Sequence, residues 1–148
     1  MVINNNYHNS YLGFDLGEKT LGIALSKTGI IAQKLKTLTF NTNQYQELIK
    51  PLKEIITHYQ IKTIVLGYPK HMNNDIGIKA QISIDFKKQL KKNFLDVKVI
   101  LWDERLSTVQ SLKILKQNNK TKTQIKQMKD EIAATIILQN YLDYKITN

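Results

Sequence analysis

Polar and apolar residues alternate over one early segment of this chain, and apolar residues recur at every third or fourth position in three longer stretches later on, with short apolar runs between them. The order of these periods leaves few architectures open. Tyr11 to Asp15 reads as a strand and Leu21 to Ser26 as a second; the link Gly17-Glu18-Lys19-Thr20 is too short for anything but an antiparallel pair. Lys27-Thr28-Gly29 makes another turn, and Gln33 to Phe40 alternates polar and apolar residues as a third, half-exposed strand. From Asn43 the spacing of Leu48, Leu52, Ile55, Ile56 and Tyr59 predicts a helix of about 16 residues, with local distortion at Pro51 in its first half. Thr63 to Gly67 is a β-branched run stopped by Gly67 and Pro69, as in a parallel strand buried on both faces. Ile76 to Phe94 carries Ile78, Ile82, Phe86, Leu90 and Phe94 along one helical face, with lysines outside, and Val97 to Trp102 reads as the fifth strand. Ser107-Thr108-Val109-Gln110 has capping-box form and opens a third helix through Lys116. The polar stretch Gln117 to Thr123 is expected to be mobile. A last helix follows over Lys126 to Tyr144, with Ile132, Ile136, Ile137, Tyr141 and Leu142 facing inward and Ala133-Ala134 permitting close approach to the sheet.

The order β-β-β-α-β-α-β-α-α describes an α/β fold: a mixed five-stranded sheet with helices on both faces, an order shared with RNase H-like folds. At 148 residues the chain has room for one good core, so we read a loose segment over residues 1–10 and a single domain over 11–148. No apolar run reaches the roughly 20 residues of a membrane helix and the start is polar and Asn-rich, which leads us to expect a cytoplasmic protein without a membrane partner. The absence of cysteine excludes thiolate metal sites and cysteine nucleophiles. A net charge of +10 favours a polyanionic partner, nucleic acid above all, although a chain crowded with Lys, Asn and Ile acquires such charge from composition alone. Of the 22 basic residues only Arg105 is an arginine, and its planar fork, which lysine cannot copy, stands beside Asp103 and Glu104.

Three acidic positions carry the chemistry. Asp15 ends the first strand within Gly13-Phe14-Asp15-Leu16-Gly17; its carboxylate either satisfies the following turn or faces a ligand that the flanking glycines allow close to the backbone. Asp103 and Glu104 end the fifth strand, where they either cap the next helix or join a site. Asp130 lies early in the last helix, where it complements the helix dipole or points to the strand ends, with Glu131 beside it as an ordinary solvated acid. Taken together, the ends of the first and fifth strands and the start of a helix crossing them can meet at one rim. Carboxylates that close repel unless a divalent cation joins them, and Mg²⁺ or Mn²⁺ prefers such hard oxygen ligands while reaching substrate phosphate. The site therefore reads as a phosphodiester-cleaving centre with two metal ions. Of the three histidines only His71, after Gly67-Tyr68-Pro69, falls in a rim loop, as a base or phosphate contact.

Four segments in order resemble the YqgF family, also called RuvX, Holliday-junction-resolvase-like proteins associated with maturation of small-subunit (16S) ribosomal RNA. They are Gly13-Phe14-Asp15-Leu16-Gly17 continuing to Leu21-Gly22-Ile23-Ala24; Ile64-Val65-Leu66-Gly67-Tyr68-Pro69; Asp103-Glu104-Arg105-Leu106-Ser107-Thr108; and Asp130-Glu131-Ile132-Ala133-Ala134 with Ile137-Leu138-Gln139. The first motif is also found in actin-like phosphate-binding enzymes, whereas Asp-Glu-Arg-Leu-Ser-Thr at its place is specific. The resemblance implies an RNase H-like nuclease whose catalytic and metal-binding residues match Asp15, Glu104 and Asp130, with Asp103 and Arg105 in support and a nuclease activity on the precursor of 16S rRNA. Thr20 departs from the family where a basic residue usually stands, and Asn74 where a Gly does; the neighbouring Lys19 and Lys70 are candidates, with His71 and Arg105, for the missing nucleic-acid contacts.

Structured RNA is the expected substrate, with branched DNA the alternative; a junction resolvase would act as a symmetric dimer, so the chain is expected as a monomer or a homodimer. A reading of a different class makes the chain a non-catalytic RNA-binding module. An actin-like ATPase needs two such domains, which this length does not accommodate.

Overall fold

The computed structural model describes residues 10–69, 74–103 and 122–147. Its strands are β1 (Tyr11–Leu16), β2 (Thr20–Ser26), β3 (Gln33–Thr39), β4 (Thr63–Tyr68) and β5 (Lys98–Asp103); its helices are α1 (Ile49–Tyr59), α2 (Asn74–Asn93) and α3 (Lys122–Thr147). The five strands lie in the order β3-β2-β1-β4-β5. β1, β2 and β3 form the expected antiparallel meander, and β4 and β5 add in parallel beside β1.

Alternation along each strand assigns the two faces. Leu12, Phe14, Leu21, Ile23, Ile64 and Leu66 enter one core with Leu52, Ile55 and Ile56 of α1 and Phe86 and Leu90 of α2. Tyr11, Ala24 and Val65 face the other way, into a core with Ala134, Ile137, Leu138, Tyr141 and Leu142 of α3. Each Leu, Ile, Val or Phe among them contributes about 1.5–3 kcal/mol on full burial, so both layers are needed to hold the sheet. Trp102 of β5 meets Tyr141 edge to face at 5.3 Å, which ties the last strand to α3.

Several expectations change in detail. The helix expected from Asn43 begins at Ile49, preceded by a 3₁₀ turn over Tyr45–Leu48. Pro51 therefore falls in the first turn of α1, where no intrahelical N–H is required, and distorts nothing. Ile78, expected on the inner face of α2, is 66% exposed, and the buried stripe starts only farther along the helix. α3 runs from Lys122, so the last two residues of the polar stretch at 117–123 are helical. The expected helix over 107–116 and positions 117–121 lie outside the described residues. Among those described, no helix is long and apolar enough to cross a membrane.

A candidate carboxylate site at the strand ends

Because β1, β4 and β5 are parallel, their C-terminal ends reach the same edge of the sheet, with Phe14 beside Leu66, Gly67 beside Trp102 and Tyr68 beside Asp103. Asp15 is the penultimate residue of β1, half-buried at this rim. Two positions before it, Gly13 lies directly under α3: a Cβ there would stand 2.6 Å from Leu138 Cβ and 2.9 Å from the Ala134 carbonyl oxygen. Alternation thus sends Asp15 to the α3 face as well.

Asp15 pairs across the antiparallel ladder with Gly22 of β2. Above Gly22 sits Asp130: a Cβ built on this glycine would lie 2.1 Å from the Asp130 carbonyl oxygen and 2.9 Å from Asp130 Cβ. Directly opposed residues hold their Cβ positions about 4.5–5.5 Å apart on one face, which places Asp15 Cβ and Asp130 Cβ no more than about 8 Å from each other. Positions separated by 115 residues of chain are thereby brought together by one contact, a helix backbone resting on a strand glycine.

Asp130 is half-buried, and among the described residues no hydrogen-bond or ion-pair partner holds its carboxylate. It also lies more than two turns inside α3, which begins at Lys122, and the attraction of a helix N-terminus fades within the first turn. The dipole account of this acid, open on sequence grounds, is therefore weak. Its neighbour Glu131 is not the solvated acid expected: it is half-buried, and its Oε2 accepts a 3.0 Å hydrogen bond from Thr37 Oγ1 of β3. Thr37 pairs with Gly22, which pairs with Asp15, so Thr37, Gly22 and Asp15 form one row across three strands beneath Asp130 and Glu131. The Thr37 bond fixes the rotation of α3 at the turn that carries Asp130. Sequence reading missed both Gly22 and Thr37; a lone glycine inside an apolar strand was the one available signal, since it marks close approach of another backbone.

Asp103 stands at the same rim on the opposite face. Val99 and Leu101 pack with the α1 and α2 core and Ile100 and Trp102 with the α3 core, so the next position turns away from Asp15 and Asp130. Lys19 is exposed in the β1–β2 turn at this rim, a turn held by Gly17 N–H donating to the Thr20 carbonyl at 2.8 Å and Phe40 N–H donating to the Lys19 carbonyl at 2.9 Å. The flanking glycines play different parts from those expected: Gly13 receives α3 and presents no backbone to a ligand, while Gly17 packs against Thr20 in the turn. Glu104, Arg105, Lys70 and His71 lie outside the described residues, and among those described no group of three His, Cys, Asp or Glu side chains is placed to hold a metal ion.

A chain of Onion yellows phytoplasma (strain OY-M) named "Putative pre-16S rRNA nuclease" is 75% identical over 137 residues, covering 93% of this chain and 91% of that one. A protein of the same name from Geobacillus sp. (strain WCH70) is 44% identical over 135 residues, covering 90% and 97%. Among solved structures, T. thermophilus RuvC in complex with Holliday junction substrate superposes with a TM-score of 0.61 at 11% identity, over 94% of this chain and 96% of that one. Fowlpox virus resolvase in complex with Holliday junction DNA does so with a TM-score of 0.53 at 16% identity, over 93% and 99%. At such identities these two show the fold alone, an RNase H-like one shared with resolvases. The sheet order, the acid at the end of β1 and the acid of α3 all fall within residues 9–144, over which the sequence matches the family described as "RuvX: Holliday junction resolvase", and to that family this chain belongs.

Proposed function

We propose that this chain is a cytoplasmic, metal-dependent nuclease that hydrolyses phosphodiester bonds in structured RNA and processes the 5′ end of pre-16S rRNA during ribosome biogenesis. The observation that carries this reading is the convergence of Asp15 and Asp130 over Gly22, at the rim where three parallel strands end. Support for the substrate comes from the names of the relatives, and support for the reaction class from the family.

The donor chemistry fits a hard divalent cation. Carboxylate oxygens suit Mg²⁺ or Mn²⁺, and the half-buried Asp130, without a protein partner among the described residues, is an acceptor of the kind such a cation takes. We assign Asp15, Glu104 and Asp130 as the metal-binding and catalytic carboxylates. Glu104 is preferred over Asp103 as the third ligand because Asp103 faces the other side of the sheet, which leaves it a supporting part together with Arg105. Two bound metal ions would supply an activated water and stabilise the departing oxygen, so no protein nucleophile is needed. The chain's own contribution is to hold the carboxylates in place: Gly22 admits the Asp130 turn, and Thr37 through Glu131 sets its rotation. Lys19, Lys70, His71 and Arg105 are proposed to contact the phosphates.

The resolvase folds that superpose on this chain, and the family's description, favour a second reading in which a homodimer cuts a four-way DNA junction. One experiment separates the readings. Purified protein and an Asp15→Asn variant are incubated with precursor RNA and with a four-way junction, each with Mn²⁺, Mg²⁺ or chelator. Metal-dependent cutting of RNA that Asp15→Asn abolishes is the expected result. Cutting that survives chelator or the variant refutes the metal mechanism, cutting of the junction alone selects the resolvase, and no cutting with any metal leaves a binding module.

A further inference from the structure

The rim that carries Asp15 and Asp130 also carries the chain's single tryptophan. Trp102 of β5 lies opposite Gly67 of β4, and Gly67 follows Leu66 by one residue just as Asp15 follows Phe14, the β1 partner of Leu66. Asp15, Gly67 and Trp102 therefore stand at one level on three neighbouring strands, which sets Asp15 and Trp102 two strand spacings apart, about 10 Å. They share a face as well: Trp102 packs against the core that holds Val65 and Tyr141, and alternation from Gly13 sends Asp15 to the same α3 side. Alternation from Val65 gives Gly67 this face too, so β4 raises no side chain between the acid and the indole. The strands part here, since the ladder joining β1 to β4 closes at Phe14 and Leu66, two residues before either strand ends.

Trp102 is braced from one direction. Its ring meets Tyr141 at 5.3 Å, edge to face, and Tyr144 at 5.3 Å, tilted by 53°. Both tyrosines belong to the end of α3 that lies over the starts of the strands, where Tyr141 also meets Tyr11, the first residue of β1, at 6.2 Å. The support thus comes from the side away from the rim, and among the described residues Trp102 makes no further ring contact. Nor does any described acceptor take its indole N–H, although a tryptophan kept for packing alone normally finds one. A half-buried indole held by two rings has already lost its rotamer freedom, so a flat partner laid on it meets little further ordering cost.

We infer that Trp102 is a stacking platform for an unpaired nucleobase of the substrate, close to the phosphate held at Asp15 and Asp130. The inference deepens the nuclease reading and rests on it for the position of the cleaved bond. A stacked strand advances about 3.4 Å per nucleotide, so the 10 Å between acid and indole corresponds to about three nucleotides at most. Stacking recognises a base as such, because every base has a π face, and it is tolerant of sequence. What it selects is a single-stranded segment beside the cut, since bases are splayed onto aromatic side chains only where they are unpaired.

Because the chain has one tryptophan, its emission reports this position alone. The full chain, in chelator so that nothing is cut, is titrated with a single-stranded RNA, with the same RNA carrying abasic residues, and with inorganic polyphosphate, while binding is followed separately by anisotropy of labelled RNA. The intact RNA is expected to quench the emission over the concentrations at which it binds, and polyphosphate to compete for the protein without quenching. The abasic RNA binds about tenfold more weakly and does not quench. Trp102→Leu binds the intact RNA about tenfold more weakly and the abasic RNA as the wild type does, and Trp102→Phe recovers most of the loss; a tryptophan with a structural part alone would weaken both RNAs alike. RNA bound without quenching, equal quenching by polyphosphate, equal loss for both RNAs in Trp102→Leu, or no RNA binding at all overturns the inference. Quenching that follows protein concentration in the absence of RNA marks a contact between copies of the chain and overturns it too. A base-dependent quench by RNA that no metal causes to be cut refutes the nuclease reading and leaves the platform standing; RNA that is cut with Mn²⁺ but bound without a quench does the reverse.

Discussion

Gly22→Ala is the substitution that strikes the site without touching a carboxylate. A Cβ at this position would lie 2.1 Å from the Asp130 carbonyl oxygen and 2.4 Å from its carbonyl carbon. Both are backbone atoms, so no side-chain rotation removes the clash. α3 must lift from β2 by at least about 1 Å at this turn to restore ordinary contact. Overpacking of this kind costs about 1–3 kcal/mol, and a rigid backbone partner puts the cost at the upper end. In a chain of this size that lowers the melting temperature by roughly 10 °C. If the two acids serve cleavage as proposed, the larger effect is on chemistry: a 1 Å displacement of one carboxylate relative to the other should reduce cleavage about 10²-fold. Gly13→Ala is the control, since its Cβ would meet Leu138 Cβ at 2.6 Å and the Ala134 carbonyl oxygen at 2.9 Å, one to two turns farther along α3. It should lose comparable stability and much less activity. Thermal melts with single-turnover cleavage, both below the variants' melting range, decide the matter. Wild-type cleavage and Mn²⁺ affinity in Gly22→Ala, or equal activity loss in both variants, would refute the argument that this contact sets the site.

Thr37→Val removes the hydroxyl that donates to Glu131 and costs about 1 kcal/mol, with cleavage reduced several-fold; Thr37→Ser restores both, and failure of serine to rescue excludes the hydrogen bond as the cause. Saturating Mn²⁺ at about 100 times its dissociation constant should stabilise the wild type by about 2.7 kcal/mol, and Asp130→Asn should abolish that gain in calorimetry while leaving the metal-free melt nearly unchanged. The Asn41 backbone N–H, and then its side-chain amide, hold the Glu47 carboxylate below its usual range. A lowered folded-state value contributes stability that is present above the ordinary carboxylate range and is lost as pH falls through the folded value, so Glu47→Gln should flatten the acid limb of melting temperature against pH. Lys145 is displaced the other way, above the ordinary lysine range, chiefly by its hydrogen bond to the Tyr11 hydroxyl. That contribution is complete below the ordinary lysine range and disappears as pH rises through the raised value, so Tyr11→Phe should be destabilising at neutral pH and lose its effect in strong alkali, as followed by melts across that range.

The strand runs Tyr11 to Asp15 and Leu21 to Ser26, the alternation of Gln33 to Phe40, and the apolar stripes of Leu52-Ile55-Ile56 and Phe86-Leu90 were legible because burial of an element leaves a local pattern on the chain. The same logic placed Asp15 at a rim, since a charge closing an apolar strand has to leave the core. It misplaced the start of α3, which begins at Lys122 where no apolar period marks the sequence, and it read Ile78 as buried although that side chain is exposed. What one-dimensional pattern could not contain is which element rests on which glycine. Leu21-Gly22-Ile23 reads only as a strand with a gap in it, and Thr37 and Glu131, 94 positions apart, as a polar pair without relation. Packing two layers on the sheet put the Asp130 backbone into the space left by Gly22 and so brought Asp130 beside Asp15. Local periodicity decided the elements; close packing, which acts between residues regardless of their distance along the chain, decided that Asp15 and Asp130 share one rim.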